Sequence, residues 1–323
     1  MSHPCADFEF EEVYDYYVIE AWRDLGERVP AYTREMVTQL AECLASHPHV
    51  NPTSSADDGF VIGQTPGWPA NPEYPTDPAI PPQDLYGFCI SDPDSTADVR
   101  MILTAGTHST EFTGNWVLHG MLEFLVGDTD EANSLREHVA FYVYPDINPE
   151  GRYQAVNRID LEAAPDPNAG TNMRKRGNPE LYAAGEKDHN RVWNTEGKFS
   201  TVDILSAAME ADAGHGTDYF WGMHGPQSVA NWRSPKGRPA WECAYGRALN
   251  AREPDVEIAG IPEGIKSGLS FQPGKLSVWI GTDDGLSVEY PYVYEPGGWS
   301  QERLLAAGKN LALALFDAHH GEW

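Results

Sequence analysis

Lysine is scarce in this 323-residue chain. Only seven occur, Lys plus Arg total 22 against 49 Asp plus Glu, and the formal net charge is −27. A nucleic-acid binder working through bulk charge is excluded, because phosphate contacts need a basic footprint. An anionic membrane surface would repel the chain as well. Long apolar runs are also missing, and none approaches a membrane span. The N-terminal stretch MSHPCADFEFEEVYDYY has neither a basic n-region nor a continuous apolar core, so no signal peptide is expected. Four cysteines, Cys5, Cys43, Cys89 and Cys243, lie scattered without a Cys-x-x-Cys. That argues against a cysteine zinc site or a redox pair. Free thiols in a reducing cytoplasm fit best, with one disulfide in a periplasmic protein as the alternative. The serine elbow G-x-S-x-G, the P-loop, H-E-x-x-H and G-x-G-x-x-G are all absent, so serine-hydrolase and nucleotide-binding readings lack support.

A hydrophobic share of 41% is too high for a disordered polyanion, and the length is ample for a core. The acidity fits either adaptation to high salt or an ordinary acidic cytosolic protein. Near-helical spacing marks helices at 8–25 and 31–46. Between 51 and 84 a long loop carries Pro66, Pro69, Pro72, Pro75, Pro78 and Pro81 at every third position, the period of polyproline II. A stiff strap packed on its own domain is expected there, with a ligand for a proline-reading module as the alternative. From 85 the pattern becomes strand, loop, helix. Strands are expected at DLYGFCIS, VRMILTA (99–105), HVAFYVY (138–144), DYFWGMHG, LSVWIG and LSVEYPY (286–292). Helices are expected after Glu111, at 201–211 and at 299–319. Alternating strands and helices predict an α/β fold whose largely parallel sheet is covered on both faces. No linker separates two cores, so 1–323 reads as a single domain with a helical extension over 1–50 and the proline-rich strap over 51–84.

The unusual polar residues fall at strand C-terminal ends, where such sheets collect function. His108 and Glu111, spaced i, i+3, follow the strand at 99–105, and an imidazole with a carboxylate suits Zn²⁺. Alone, the pair also reads as a loop His and a Glu favoured by the helix dipole. His224 ends the DYFWGMHG strand and is a candidate third ligand. His119 is expected on the helix after Glu111, and His319 and His320 at the last helix end; His189 is less easily set aside. Glu289 stands in an apolar strand, where it either points to solvent or enters a cleft as a general base. Asn148-Pro149-Glu150-Gly151 is rich in turn formers. Arg174, Lys175, Arg176, Lys187 and Arg191 concentrate basic charge between 174 and 191. Asn190 beside Arg191 can bind a carboxylate through an amide and a guanidinium fork, and a second Arg can stabilise an oxyanion.

Taken in order, these residues resemble the zinc carboxypeptidase family, the metallocarboxypeptidases of the M14 type. The likeness rests on H-x-x-E after a strand, N-P-[DE]-G after the next, a basic segment, D-x-N-R at Asp188 to Arg191, a strand-end His and a late strand Glu. It spans about 85–319. The resemblance implies a mixed, largely parallel sheet and one Zn²⁺ ion held by His108, Glu111 and His224, with water in the open position. It implies Glu289 as general base, Arg176 or Arg174 at the oxyanion, and Asn190 with Arg191 on the substrate's C-terminal carboxylate. The implied activity is removal of a C-terminal residue from a peptide. The alternatives are an amidohydrolase acting on acyl-amino acids, or a non-catalytic binding protein with the same fold. Two departures stand out. No Tyr lies between Tyr245 and Glu289, and Val192 stands where the motif D-x-N-R-N has a second Asn.

Overall fold

The computed structural model describes residues 32–56, 59–69, 79–94, 97–109, 111–157, 180, 188–214, 217–225, 231–233, 244–254, 275–281, 284–290 and 300–319. The expected helix at 8–25, Arg174, Arg176, Pro72, Pro75 and Pro78 lie outside them.

The helix expected at 31–46 is α1 (Arg34–Ala45). Its N-cap is Thr33, whose side chain accepts from Met36 N, satisfying one of the free N–H groups at a helix start. Strands β1 (Val50–Pro52), β2 (Val61–Gln64), β3 (Asp84–Tyr86) and β4 (Phe88–Ile90) follow. The single strand expected at DLYGFCIS is therefore two, broken at Gly87 and belonging to different sheets. A Cβ at Gly87 would lie 2.9 Å from Ile62 Cγ2 and 3.1 Å from Tyr144 Cε1, so only glycine lets the chain pass there. Next come β5 (Val99–Ala105), α2 (Phe112–Leu125), α3 (Asp130–His138), β6 (Val139–Tyr144) and α4 (Pro149–Asn157). The turn expected at Asn148-Pro149-Glu150-Gly151 is the start of α4. Asn148 Oδ1 accepts from Gly151 N, and Pro149 occupies the first helical position, where no N–H is needed. A 3-10 turn covers His189–Arg191. Then follow α5 (Ser200–Asp212), β7 (Tyr219–His224), β8 (Asn231–Arg233), α6 (Ala244–Arg252), α7 (Leu276–Trp279), β9 (Asp284–Glu289) and α8 (Gln301–His319). LSVWIG is thus a helical turn and not a strand. Four apolar residues within six positions fit either period, and length alone does not arbitrate.

Among the described residues a seven-stranded sheet runs β1-β4-β6-β5-β7-β9-β8, beside a two-stranded sheet of β2 and β3. The centre, β6-β5-β7-β9, is parallel, and β1, β4 and β8 pair antiparallel. The sheet is mixed with a parallel core and helices on both faces. β5 is the axis of packing. Met101, Leu103 and Ala105 join a core with α1, α2, α3 and α8, while Ile102 joins the opposite core with α5 and α7. Such two-sided burial explains the unbroken apolar run of β5. Helix α2 is buried nearly all round, between the sheet and α8. The two helices cross at Gly120 and Gly308. A Cβ on Gly120 would collide with the Leu305 carbonyl, and one on Gly308 with the Val117 carbonyl.

Of the proline-rich stretch expected at 51–84, the described parts touch each other and the domain. Trp68 and Ile80 form an antiparallel bridge, and Gly67 N donates to buried Glu150 Oε1 at 3.0 Å. Cys43 is disulfide-bonded, which corrects the expectation of free thiols throughout; its partner lies outside the described residues. Cys89 is free, and burial lifts its thiol to about 11. No helix among the described residues is long and apolar enough to cross a membrane.

Candidate active site

The parallel strands β5 and β7 are neighbours, with Ala105 in register with Met223. Their C-terminal ends therefore place His108 and His224 side by side, ring centroids 5.2 Å apart. Helix α2 starts between them. Its Gly114 sits so close to β7 that a Cβ would stand 2.6 Å from Met223 O. That approach brings Glu111, at the N-cap of α2, against His224. Glu111 makes no capping hydrogen bond to its own helix, because its carboxylate is turned into the site.

One oxygen, Oε1, lies 2.8 Å from His108 Nδ1. The other, Oε2, lies 2.9 Å from His224 Nδ1 and accepts from Gly225 N at 3.2 Å. On the far side of its ring, His108 Nε2 lies 2.9 Å from Asp188 Oδ1. Burial alone would lower the His108 pKa, but Glu111 and Asp188 outweigh it and hold the imidazole at about 9. Burial likewise disfavours the charged Glu111, yet His108 and His224 bring it down to about 2. Asp188 is pulled well below the usual carboxylate range by His108 and Arg191, against its burial. Between them, His108 and His224 offer one nitrogen each, and Glu111 one oxygen, all within 4.8 Å of one another.

The donor set fits a zinc ion. Two imidazole nitrogens and a carboxylate converge, and the remaining nitrogen of one ring is held by a second carboxylate, the usual support of a metal-binding histidine. The Glu111 carboxylate links the two rings through these contacts.

Asp188 was visible in the sequence only as the first residue of D-x-N-R. Its Oδ1 also accepts from Asn190 N at 3.0 Å, so the 3-10 turn is anchored to the His108 ring. Asn190 is buried, and its Oδ1 accepts from Leu276 N at 3.1 Å. Arg191 has a third of its side chain exposed, with Nη1 3.6 Å from Asp188 Oδ2. His189, between them, is fully buried with both ring nitrogens unpartnered; burial, and His108 nearby, lower its pKa to about 4. Glu289 ends β9 in register with His224.

The surrounding loops are held by a buried polar network. Asn148 Nδ2 donates to Thr107 O at 3.3 Å. Asp146 Oδ2 lies 3.0 Å from Arg34 Nη1 and 2.9 Å from Arg152 Nε. Arg152 also donates to Tyr32 O at 2.9 Å and to Asn115 Oδ1 at 2.7 Å.

Residues 82–230 match the family model described as zinc carboxypeptidase. Over that stretch the chain is similar to the zinc carboxypeptidase family. Cytosolic carboxypeptidase 3 of Mus musculus is 36% identical over 70 residues, which are 21% of this chain and 7% of that protein. Cytosolic carboxypeptidase 2 of Danio rerio is 38% identical over 72 residues, 21% of this chain and 10% of that protein. The matches thus span a small part of those relatives. Among solved structures, a metallo-carboxypeptidase from Burkholderia cenocepacia superposes with a TM-score of 0.64 at 18% identity, covering 91% of this chain and 70% of that one. Another, from Pseudomonas aeruginosa, crystallised in complex with (2-guanidinoethylmercapto)succinic acid, gives 0.62 at 20%, covering 88% and 68%. These likenesses establish the zinc carboxypeptidase fold.

Proposed function

We propose that the chain is a zinc-dependent metallocarboxypeptidase that hydrolyses the C-terminal peptide bond of a peptide with a free carboxylate. The observation that carries this reading is the convergence of His108 Nδ1, the Glu111 carboxylate and His224 Nδ1, with Asp188 behind His108. In this reading His108, Glu111 and His224 hold one zinc ion. When bound, the ion supplies Lewis-acid polarisation of the scissile carbonyl and makes a water easier to deprotonate.

The chain's own residues do the rest. The Glu289 carboxylate takes a proton from the attacking water and passes it to the departing amine nitrogen. Support for that role is its place in β9 beside His224. Arg176 or Arg174 donates to the oxyanion that develops on the carbonyl oxygen. Asn190 and Arg191 bind the terminal carboxylate, and so set which bond lies over the metal. Arg191 donates to Asn190 O at 2.6 Å, and about a third of its side chain is exposed.

Metal analysis and a paired assay test this reading. The wild-type chain is expected to bind one zinc and to cleave N-acylated dipeptides with a free terminal carboxylate. Glu289→Gln is expected to keep the metal and lose about 10²- to 10⁴-fold in rate. Activity confined to N-acyl amino acids, or a fully active Glu289→Gln enzyme, would overturn it.

A further inference from the structure

Asn190 carries an ambiguity that its proposed role cannot tolerate. A side-chain amide has a donor end and an acceptor end, and its terminal torsion is broadly two-fold, so both orientations are open to it. A carboxylate accepts hydrogen bonds only. Asn190 therefore helps bind a carboxylate with its NH2 group outward, and opposes binding with its carbonyl outward.

Something must choose between the two, and the structure contains the group that does. A main-chain N–H can only donate. Leu276 N donates to Asn190 Oδ1 at 3.1 Å, which ties down the carbonyl end of the amide. The Asn190 backbone is fixed separately, by the Asp188 oxygen that also holds His108. We infer that the Leu276 N–H is the positioning group that keeps the Asn190 NH2 turned toward the substrate carboxylate. The inference rests on the carboxypeptidase reading of Asn190.

The local structure suits this task. Leu276 is the first residue of α7, so its N–H has no partner within the helix and is free to donate elsewhere. The short helix lies in the opposite core from α2, where Leu276 and Ile280 are buried in one cluster with Trp193 and Phe220. Packing, and not the hydrogen bond alone, therefore keeps the donor in place. From α7 the chain runs on to β9, which ends at Glu289.

The same geometry provides a clean perturbation. Proline is favoured at the first helical position, and the residue before a proline must be extended. Lys275 already is, at φ −74° and ψ 139°. Leu276→Pro thus deletes the N–H with little backbone strain. Leu276→Ala, which keeps the N–H, serves as the reference for the lost apolar side chain.

The test uses the zinc-loaded full chain and an N-acylated dipeptide with a free carboxylate. Relative to Leu276→Ala, Leu276→Pro is expected to raise KM about tenfold or more, the worth of a hydrogen bond to a charged group, with kcat changed far less. In an Asn190→Ala background the same proline is expected to have no further effect on KM. Amide hydrogen exchange gives a readout free of activity: Asn190→Ala should speed exchange at Leu276 by about two- to tenfold. Unchanged exchange, or a proline effect no larger than that of alanine or equal in both backgrounds, would overturn the inference alone. A wild-type chain inactive on every carboxylate-ended substrate would overturn the functional reading and the inference with it.

Discussion

Metal uptake should release a proton from His108, and the amount follows from the site. In the metal-free chain the ring stands between two carboxylates, Glu111 at 2.8 Å and Asp188 at 2.9 Å, and its pKa is held at about 9. At pH 7.5 such a group is mostly protonated. A metal ligand must be neutral imidazole, so each zinc should expel about one proton from His108 at that pH. Apparent affinity should gain about tenfold per pH unit between pH 7.5 and 9 and then level off. Proton release in weak buffer and competition with a chromophoric chelator measure the two quantities. Release well under about half a proton at pH 7.5, or affinity flat across that window, would refute the electrostatic account. The sign reverses for the stability of the metal-free chain. A raised folded-state pKa gives stability that is full below the unfolded value near 6.5 and lost as pH rises through about 9. Asp188→Asn removes one of the two carboxylates; zinc affinity should fall about 10- to 100-fold and the proton release at pH 8.5 should shrink.

Two further outcomes concern the scaffold. Gly308→Ala places a methyl against the Val117 carbonyl where α2 and α8 cross, and overpacking of this kind costs about 1–3 kcal/mol; an unchanged thermal midpoint would contradict the crossing described. With Cys43 paired and Cys89 free, the denatured unreduced chain should titrate two thiols of its four cysteines, against four after reduction, and four in both states would remove the disulfide.

The parts legible in the sequence were those with a local signature. β5, β6 and β7 are apolar runs bounded by polar turns, and His108, Glu111 and His224 stood out because they end or follow such runs. Ambiguous local signals misled. Asn-Pro-Glu-Gly suits a turn, yet Asn at a cap and Pro at the first position start a helix equally well. DLYGFCIS reads as one strand because nothing near Gly87 announces Ile62 and Tyr144 pressing on it. Long-range partnerships were beyond reach. Asp188 meets His108 across 80 residues and Asn190 meets Leu276 across 86, and no periodicity records such pairings. The Cys43 disulfide belongs to the same class, since spacing alone does not distinguish a paired cysteine from a free one.

The cluster around Asp146 bears on where this protein can be cut. The stretch matching the zinc carboxypeptidase model begins at 82, but Arg34, which shares the Asp146 carboxylate, and Tyr32, whose carbonyl receives Arg152, both precede it. A fragment trimmed to that stretch would bury Arg152 short of a hydrogen-bond acceptor and leave Asp146 one cation poorer, beside the loops that carry His108. It would also lack β9 and α8, which follow 230. The segment that resembles the family model is therefore smaller than the segment these contacts tie together, and a minimal expression fragment should be drawn from the wiring of the buried charges.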